Sequence, residues 1–339
     1  MTNHTPGSDA WLASVTEPVI DPDRPIIDPH HHLWRRPNGN DYLLEHLWQD
    51  TGSGHNIEKT VFVECHAEYR MNGAEEFKVL GETEFVSEQA NLSETAQGHE
   101  ENATISGIVS HADLRLGDQL QDILEQHIEL GAEKFKGIRH AGAHAEHPEA
   151  LLIAGRAPRS LYLDPNFQQG VRKLGEMGLS FDTWHYHYQN QEFDTLAKAA
   201  EDTQMILDHF GTPLGVGPYA SQRDEIFEQW KKDIAEIARN PNVVAKIGGL
   251  AMPDNGFGWH DRATPPTSDE FVTAQRDYYL HTIDCFGPDR CMFESNFPVD
   301  RFSISYPVLY NGLKKIVADF SEADKHAMFY GTAARIYKL

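Results

Sequence analysis

Histidines, carboxylates and one arginine recur along this chain at spacings that chemistry can use. The densest group is Asp28-Pro29-His30-His31-His32-Leu33-Trp34, directly after the apolar run 25–27. Side chains alternate along a strand, so His30 and His32 point one way and His31 the other. Two imidazoles then converge on one spot, as a site that moves protons requires. The competing reading is a histidine-rich turn that merely caps a strand.

Other polar groups finish later apolar runs in the same manner. Glu64 and His66 follow the second run, His111 and Asp113 the third, and Arg139 and His140 the fourth. Trp184-His185-Tyr186-His187 follows the fifth, Asp208-His209 the sixth, and Glu294-Ser295-Asn296 the eighth. Several have plain structural alternatives. His111 could cap a strand, and His185 could be a packed core histidine. Arg139 could fork onto a substrate carboxylate or form a salt bridge to a neighbouring acid. Glu64, too costly to bury alone, is expected either to clamp a histidine or to belong to the site.

The elements that must position these residues are short and regular. Eight runs rich in Val, Ile and Phe (25–27, 59–63, 104–109, 133–138, 179–183, 204–207, 243–247 and 290–293) alternate with helical patterns. That outline predicts an α/β fold, a (β/α)8 TIM barrel, with catalytic groups at the C-terminal ends of the strands. A doubly wound sheet is the rival, but no Gly-rich dinucleotide turn follows the first run. Ile226, Trp230, Ile234 and Ile237 recur at helical spacing over 224–239, and Thr267 with Glu270 and Ser321 with Asp324 fit capping boxes. Residues 1–24 are expected to form an N-terminal arm and 25–339 a single domain. Loops 35–55, 140–163 and 252–267 should form the long C-terminal-face loops that set specificity.

Composition narrows the partners. The chain has 339 residues, 40% of them hydrophobic, and a net charge of -23. Such an acidic surface repels phosphate backbones and anionic membranes, so neither nucleic acid nor membrane is an expected partner. No run nears the ~18 apolar residues of a membrane span, and mean hydropathy is -0.52. Three cysteines without a C-x-x-C pair suit a reducing cytoplasm. An anionic small-molecule substrate would need local positive charge at the site. Aromatic residues in the loops suit either a pocket or the interface of a homo-oligomer.

Taken in order, several segments resemble the amidohydrolase superfamily. They are Asp28 to Trp34, Val61-Phe62-Val63-Glu64-Cys65, Lys136-Gly137-Ile138-Arg139, Ile206-Leu207-Asp208-His209-Phe210-Gly211, Lys246-Ile247-Gly248-Gly249-Leu250, and Met292-Phe293-Glu294-Ser295-Asn296-Phe297-Pro298. The likeness runs to the Gly331-Thr332-Ala333-Ala334-Arg335 ending. It is to the TIM-barrel branch that includes lactonases of pyrone dicarboxylate, of sugar acids and of sulfomuconolactone. It implies that His30, His32 and His209 surround one divalent ion, usually zinc, or bind substrate without metal. It also implies that Arg139 grips a substrate carboxylate.

One position departs from that pattern. Where the superfamily carries a strand-eight aspartate, this chain has Asn296, which cannot take a proton near neutral pH. Three neutral imidazoles could still hold zinc and lower the pKa of bound water to ~7. Without metal, a histidine or Glu64 would activate water, and Glu294, on the face of Asn296, could supply the missing carboxylate. The expectation is a lactonase-type hydrolase acting through His30, His32, His209, Asn296 and Glu64. Arg139, His66, His187, His140 and Glu294 would bind substrate. A decarboxylase or hydratase of an unsaturated acid, and a binding protein on a decayed enzyme scaffold, are the alternatives.

Overall fold

The computed structural model describes residues 5–37 and 39–339. The eight runs form strands β1 (Pro25–His31), β2 (Asn56–Val63), β3 (Thr104–Ser110), β4 (Phe135–Arg139), β5 (Ser180–Thr183), β6 (Met205–Leu207), β7 (Val243–Ile247) and β8 (Cys291–Phe293). Each pairs in parallel with the next in chain order. Asn296 N–H donates to the His30 carbonyl at 3.0 Å and His32 N–H to the Phe297 carbonyl at 2.8 Å, joining the chain after β8 to β1. A parallel sheet that returns to its first strand is a (β/α)8 barrel. A doubly wound sheet would reverse its strand order.

Inward positions explain how the site is carried. Ile27, Val61, Val63, Val109, Ile206, Val244 and Met292 pack with Ala333 and Tyr337 of helix Thr332–Tyr337, which plugs the barrel. Two residues further along β6, β7 and β8, the same face carries Asp208, Lys246 and Glu294, all fully buried. Lys246 Nζ lies 2.6 Å from Asp182 Oδ2 and 3.5 Å from Asp208 Oδ1, and the Tyr337 hydroxyl donates to Asp182 at 2.6 Å. A column of paired charge thus rises from the apolar plug towards the strand ends.

β1 does not alternate simply from end to end. Asp28 pairs with Thr60 and His31 with Phe62, so β1 carries one residue more than β2 in that interval. This bulge lies between Asp28 and His31, in the stretch that holds Pro29, and resets the faces. Asp28 consequently turns outward, accepting from Ser295 N and from the Tyr306 hydroxyl at 2.9 Å each. His30 and His32 turn inward, while His31 lies 6.0 Å ring to ring from Phe62 on the outer face.

The helix expected over 224–239 spans Arg223–Ile237 with Ile226, Trp230, Ile234 and Ile237 buried. Thr267 and Glu270 close a capping box on helix Ser268–Phe286, and Ser321 caps Glu322–His326. Loop 252–267 is irregular but packed, with Trp259 buried. Its Asp254 accepts from Leu152 N at 2.7 Å and Ile153 N at 2.9 Å, latching it to loop 140–163. The N-terminal arm lies on the barrel. Trp11 is fully buried and donates to the Arg262 carbonyl at 3.0 Å, and Lys314 Nζ donates to the carbonyls of Ile20 and Asp21. The cysteines are unpaired, and among the described residues no helix is long and apolar enough to cross a membrane.

Candidate active site

Glu294 is the centre of the cluster at the strand ends. Its Oε2 lies 2.7 Å from His30 Nδ1 and its Oε1 lies 2.7 Å from His209 Nδ1. The two rings are 4.5 Å apart, with His32 4.9 Å from His30 on another side. Local backbone makes room for this. A Cβ at Gly248 would overlap Glu294 and one at Gly249 would overlap His209 Nδ1, so glycine is required at both positions. His209 and Phe210 both adopt left-handed backbone, φ 52 and 58, a conformation that costs energy in non-glycine residues.

Burial controls the protonation of these groups. It holds His30 well below the ordinary histidine value, helped by Lys246, and takes His32 and His209 down to about 3. It pushes Glu294 up to about 8 against the pull of Lys246, and Asp208 up to about 7. In this cluster the carboxyl, not the imidazole, holds a proton most tightly.

His32 meets an unusual partner. Its Nδ1 lies 2.8 Å from the Val63 carbonyl, which only accepts, so the neutral ring carries its lone pair on Nε2. That Nε2 faces Asn296 Oδ1 at 3.3 Å, while Asn296 Nδ2 donates to Asp300 Oδ1 at 2.8 Å. Two lone pairs therefore face one another in a buried site, an arrangement that a cation or an added donor would relieve. The donor atoms of His30, His209 and Glu294 all lie within 4.8 Å of one another. Buried Asp28, Glu64, Asp182, Asp208, Glu294 and Asp300 outnumber buried Arg139 and Lys246. These residues fit a divalent ion. This converging set shares His30 and His209 with the expected His30, His32 and His209 trio and adds Glu294, which reaches between the rings, while His32 faces Asn296.

Arg139 makes the second of its two expected contacts, a salt bridge to a neighbouring acid. Its guanidinium is buried and forks onto Glu64, Nε donating to Oε1 at 2.8 Å and Nη2 to the Glu64 carbonyl. Its Nη1 lies 3.3 Å from His30 Nε2. The carboxylate it grips is the protein's own, which holds Glu64 down to about 2 against the cost of burial. His187 is displaced for a different reason. β5 stops at Thr183, so strand alternation no longer governs residue 187; its Nδ1 accepts from Leu214 N at 3.2 Å, and its ring packs on Tyr188 and Tyr219. His185 is a core histidine between Thr183 and Asn190.

Glu64, His66 and His140 do meet, on a cavity of about 690 Å³ at the barrel mouth. His140 Nδ1 accepts from Leu114 N at 3.2 Å, and His66 lies 3.8 Å from the unpartnered Glu64 Oε2. His111, a strand-end residue for which a capping role was the alternative, lines this cavity with Nδ1 3.0 Å from the Arg139 carbonyl. It also gave no role to Lys246 or Asp208, although strand alternation from Val244 and Ile206 places both inward. Arg36, Arg156 and Trp184 on the cavity wall come from loops and carried no periodic signal.

A family model described as amidohydrolase matches residues 27–339. The chain belongs to the amidohydrolase family. As an amidohydrolase it is 30% identical to an uncharacterized protein of Sinorhizobium fredii, over 94% of this chain and 99% of that one. It is 26% identical to an L-fucono-1,5-lactonase of Burkholderia multivorans, over 92% and 96%. The fold matches a Burkholderia multivorans amidohydrolase with bound zinc at TM-score 0.69 and 23% identity, covering 93% of this chain and 99% of that one. It also matches a putative 2-pyrone-4,6-dicarboxylic acid hydrolase of Pseudomonas putida at TM-score 0.59 and 16% identity, covering 92% and 97%. The amidohydrolase barrel is therefore common to proteins whose sequences have diverged widely.

Proposed function

We propose that this amidohydrolase opens the ring ester of a small carboxylate-bearing lactone by attack of water. The observation that carries the reading is Glu294 braced between His30 and His209. Glu294 holds the Nδ1 side of both rings, which leaves His209 Nε2 as the atom placed to take a proton from water when no metal is bound. That is the orienting role of a carboxylate behind a histidine. Arg139 Nη1, close to His30, would stabilise charge developing on the carbonyl oxygen. With a divalent ion bound, zinc by the preference of its nitrogen and carboxylate donors, His30, His209 and Glu294 would instead be its ligands, and the ion, not His209, would supply a water of lowered pKa. The named lactonase relative supports the substrate class, and the unpaired cysteines support a cytoplasmic setting.

The test is a panel of γ- and δ-lactone acids assayed with wild type, His209→Ala and Glu294→Gln. Each substitution should lower kcat/KM by about 100-fold or more with the circular dichroism unchanged. Undiminished turnover by His209→Ala would remove that residue from the mechanism. Elemental analysis of protein purified without added ions or chelator reads the metal directly. Asn296, which removes a carboxylate from the site, favours a decarboxylase as the second reading. Carbon dioxide released from an unsaturated or aromatic acid, with all lactones inert, would select it.

A further inference from the structure

We propose that the carboxylate of the substrate is bound at the barrel mouth by Arg36 and Arg156. The word substrate rests on the hydrolase reading above, but the anion site stands or falls separately. The argument begins with Arg139, whose guanidinium is buried against Glu64 and His30. It cannot take a second carboxylate without giving up the first. The cavity outside it is lined by Arg36, Arg115, Arg156, His66, His111 and Trp184, and its 690 Å³ suits a small organic molecule.

The charges on that wall are unevenly paired. Arg115 is neutralised by a two-pronged contact with Asp113, at 2.9 and 2.7 Å. Among the described residues Arg36 and Arg156 have no acidic partner. This chain carries 52 acidic residues against 29 basic ones, so arginines left unpaired do not reflect a shortage of carboxylates. Glu64, the acid in the same wall, is already held by Arg139. A guanidinium on a cavity wall without an acidic partner matches a carboxylate from outside.

Both arginines are positioned. The Arg36 guanidinium lies 4.8 Å over the Trp34 ring. Arg156 pairs with His144 in a narrow hairpin where Ala145 N donates to Gly155 O at 3.1 Å and Ala157 N to Ala143 O at 3.0 Å. A Cβ at Gly155 would overlap the Ala143 carbonyl, so the two arms of the hairpin close only on glycine. The Trp184 ring lines the same wall. Two guanidiniums beside an aromatic face describe a site for a planar anion.

The experiment is calorimetric titration of the whole purified chain with isophthalate, D-galactonate and citrate, and with neutral dimethyl isophthalate. At least one anion should bind wild type and the diester should not. Arg36→Gln and Arg156→Gln should each weaken binding about 10-fold, and the double variant should abolish it. Affinity should fall as salt rises from about 50 to about 500 mM. Both side chains are exposed, so unchanged thermal midpoints will show that the variants fold. Binding of none of the anions, equal binding of the diester, or wild-type affinity in the double variant would overturn the proposal. Inert lactones together with anion binding lost in the double variant would sink the hydrolase reading and leave this one standing.

Discussion

Asn296 shows how one amide changes a site's chemistry. It cannot receive a proton, yet it is held firmly, with Nδ2 on Asp300 and Oδ1 opposite His32. Restoring a carboxylate is therefore not expected to be benign. Asn296→Asp would set a second acid against Asp300, whose carboxyl burial already holds well above its usual range. One of the two must then keep a proton. The Asp300 value already lies above that of the unfolded chain and a second acid beside it would raise it further, so the stability is present at low pH and lost as pH rises. Urea unfolding should show Asn296→Asp close to wild type near pH 5 and about 2 kcal/mol or more weaker near pH 8. Single residues were legible where strand alternation aims them, as with Glu294 two places beyond Met292, whereas His209 reaches the site through left-handed backbone outside β6. Arg139 was not, because sequence cannot say which carboxylate a guanidinium will find first. Arg36 and Arg156 were hidden for another reason, since loop residues have no period to reveal their direction.

Strands were the most readable elements, because parallel strands covered on both faces appear as unbroken apolar runs. Their ends were less so. The residue added to β1 between Asp28 and His31 leaves no hydrophobic trace, although it decides which histidines face inward. Helix Leu80–Thr95 was not singled out at all, and it has a part in holding the strand-two end of the site. Its Glu82 accepts from Cys65 N at 2.9 Å and Ala67 N at 2.7 Å, fixing the turn that carries Glu64 and His66. Burial, then the nearby Glu64 charge, pushes Glu82 up to about 8. The folded protein thus keeps a proton that the unfolded chain releases above its ordinary carboxylate value, so stability falls with rising pH between about 4.5 and about 8. Glu82→Gln keeps an acceptor and removes the charge. Its denaturation midpoint should match wild type near pH 5 and exceed it near pH 8. A variant with the same pH slope as wild type would show that Glu82 does not titrate there.

On the scale of the whole molecule, the acidic surface and the barrel are separate facts. A net charge of -23 sets solubility and long-range repulsion, whereas the site draws on a few cations kept in or near the barrel. The loops that cover the mouth are tied to each other through Asp254, and the arm is tied down by Asn311 and Lys314. Their sequences announced only irregular loops and an N-terminal arm, because hydrogen bonds between distant groups have no linear signature.

The hydroxyl of Tyr337 gives that architecture a mechanical reading. From the far end of the cylinder it braces Asp182, which steadies Lys246, which in turn faces Asp208 beneath the histidines. Tyr337→Phe should lower stability by about 1 to 2 kcal/mol and reduce kcat more than it raises KM, although the ring never meets a ligand. The tail of this polypeptide behaves as a keel: loosen it, and the rigging at the opposite end goes slack.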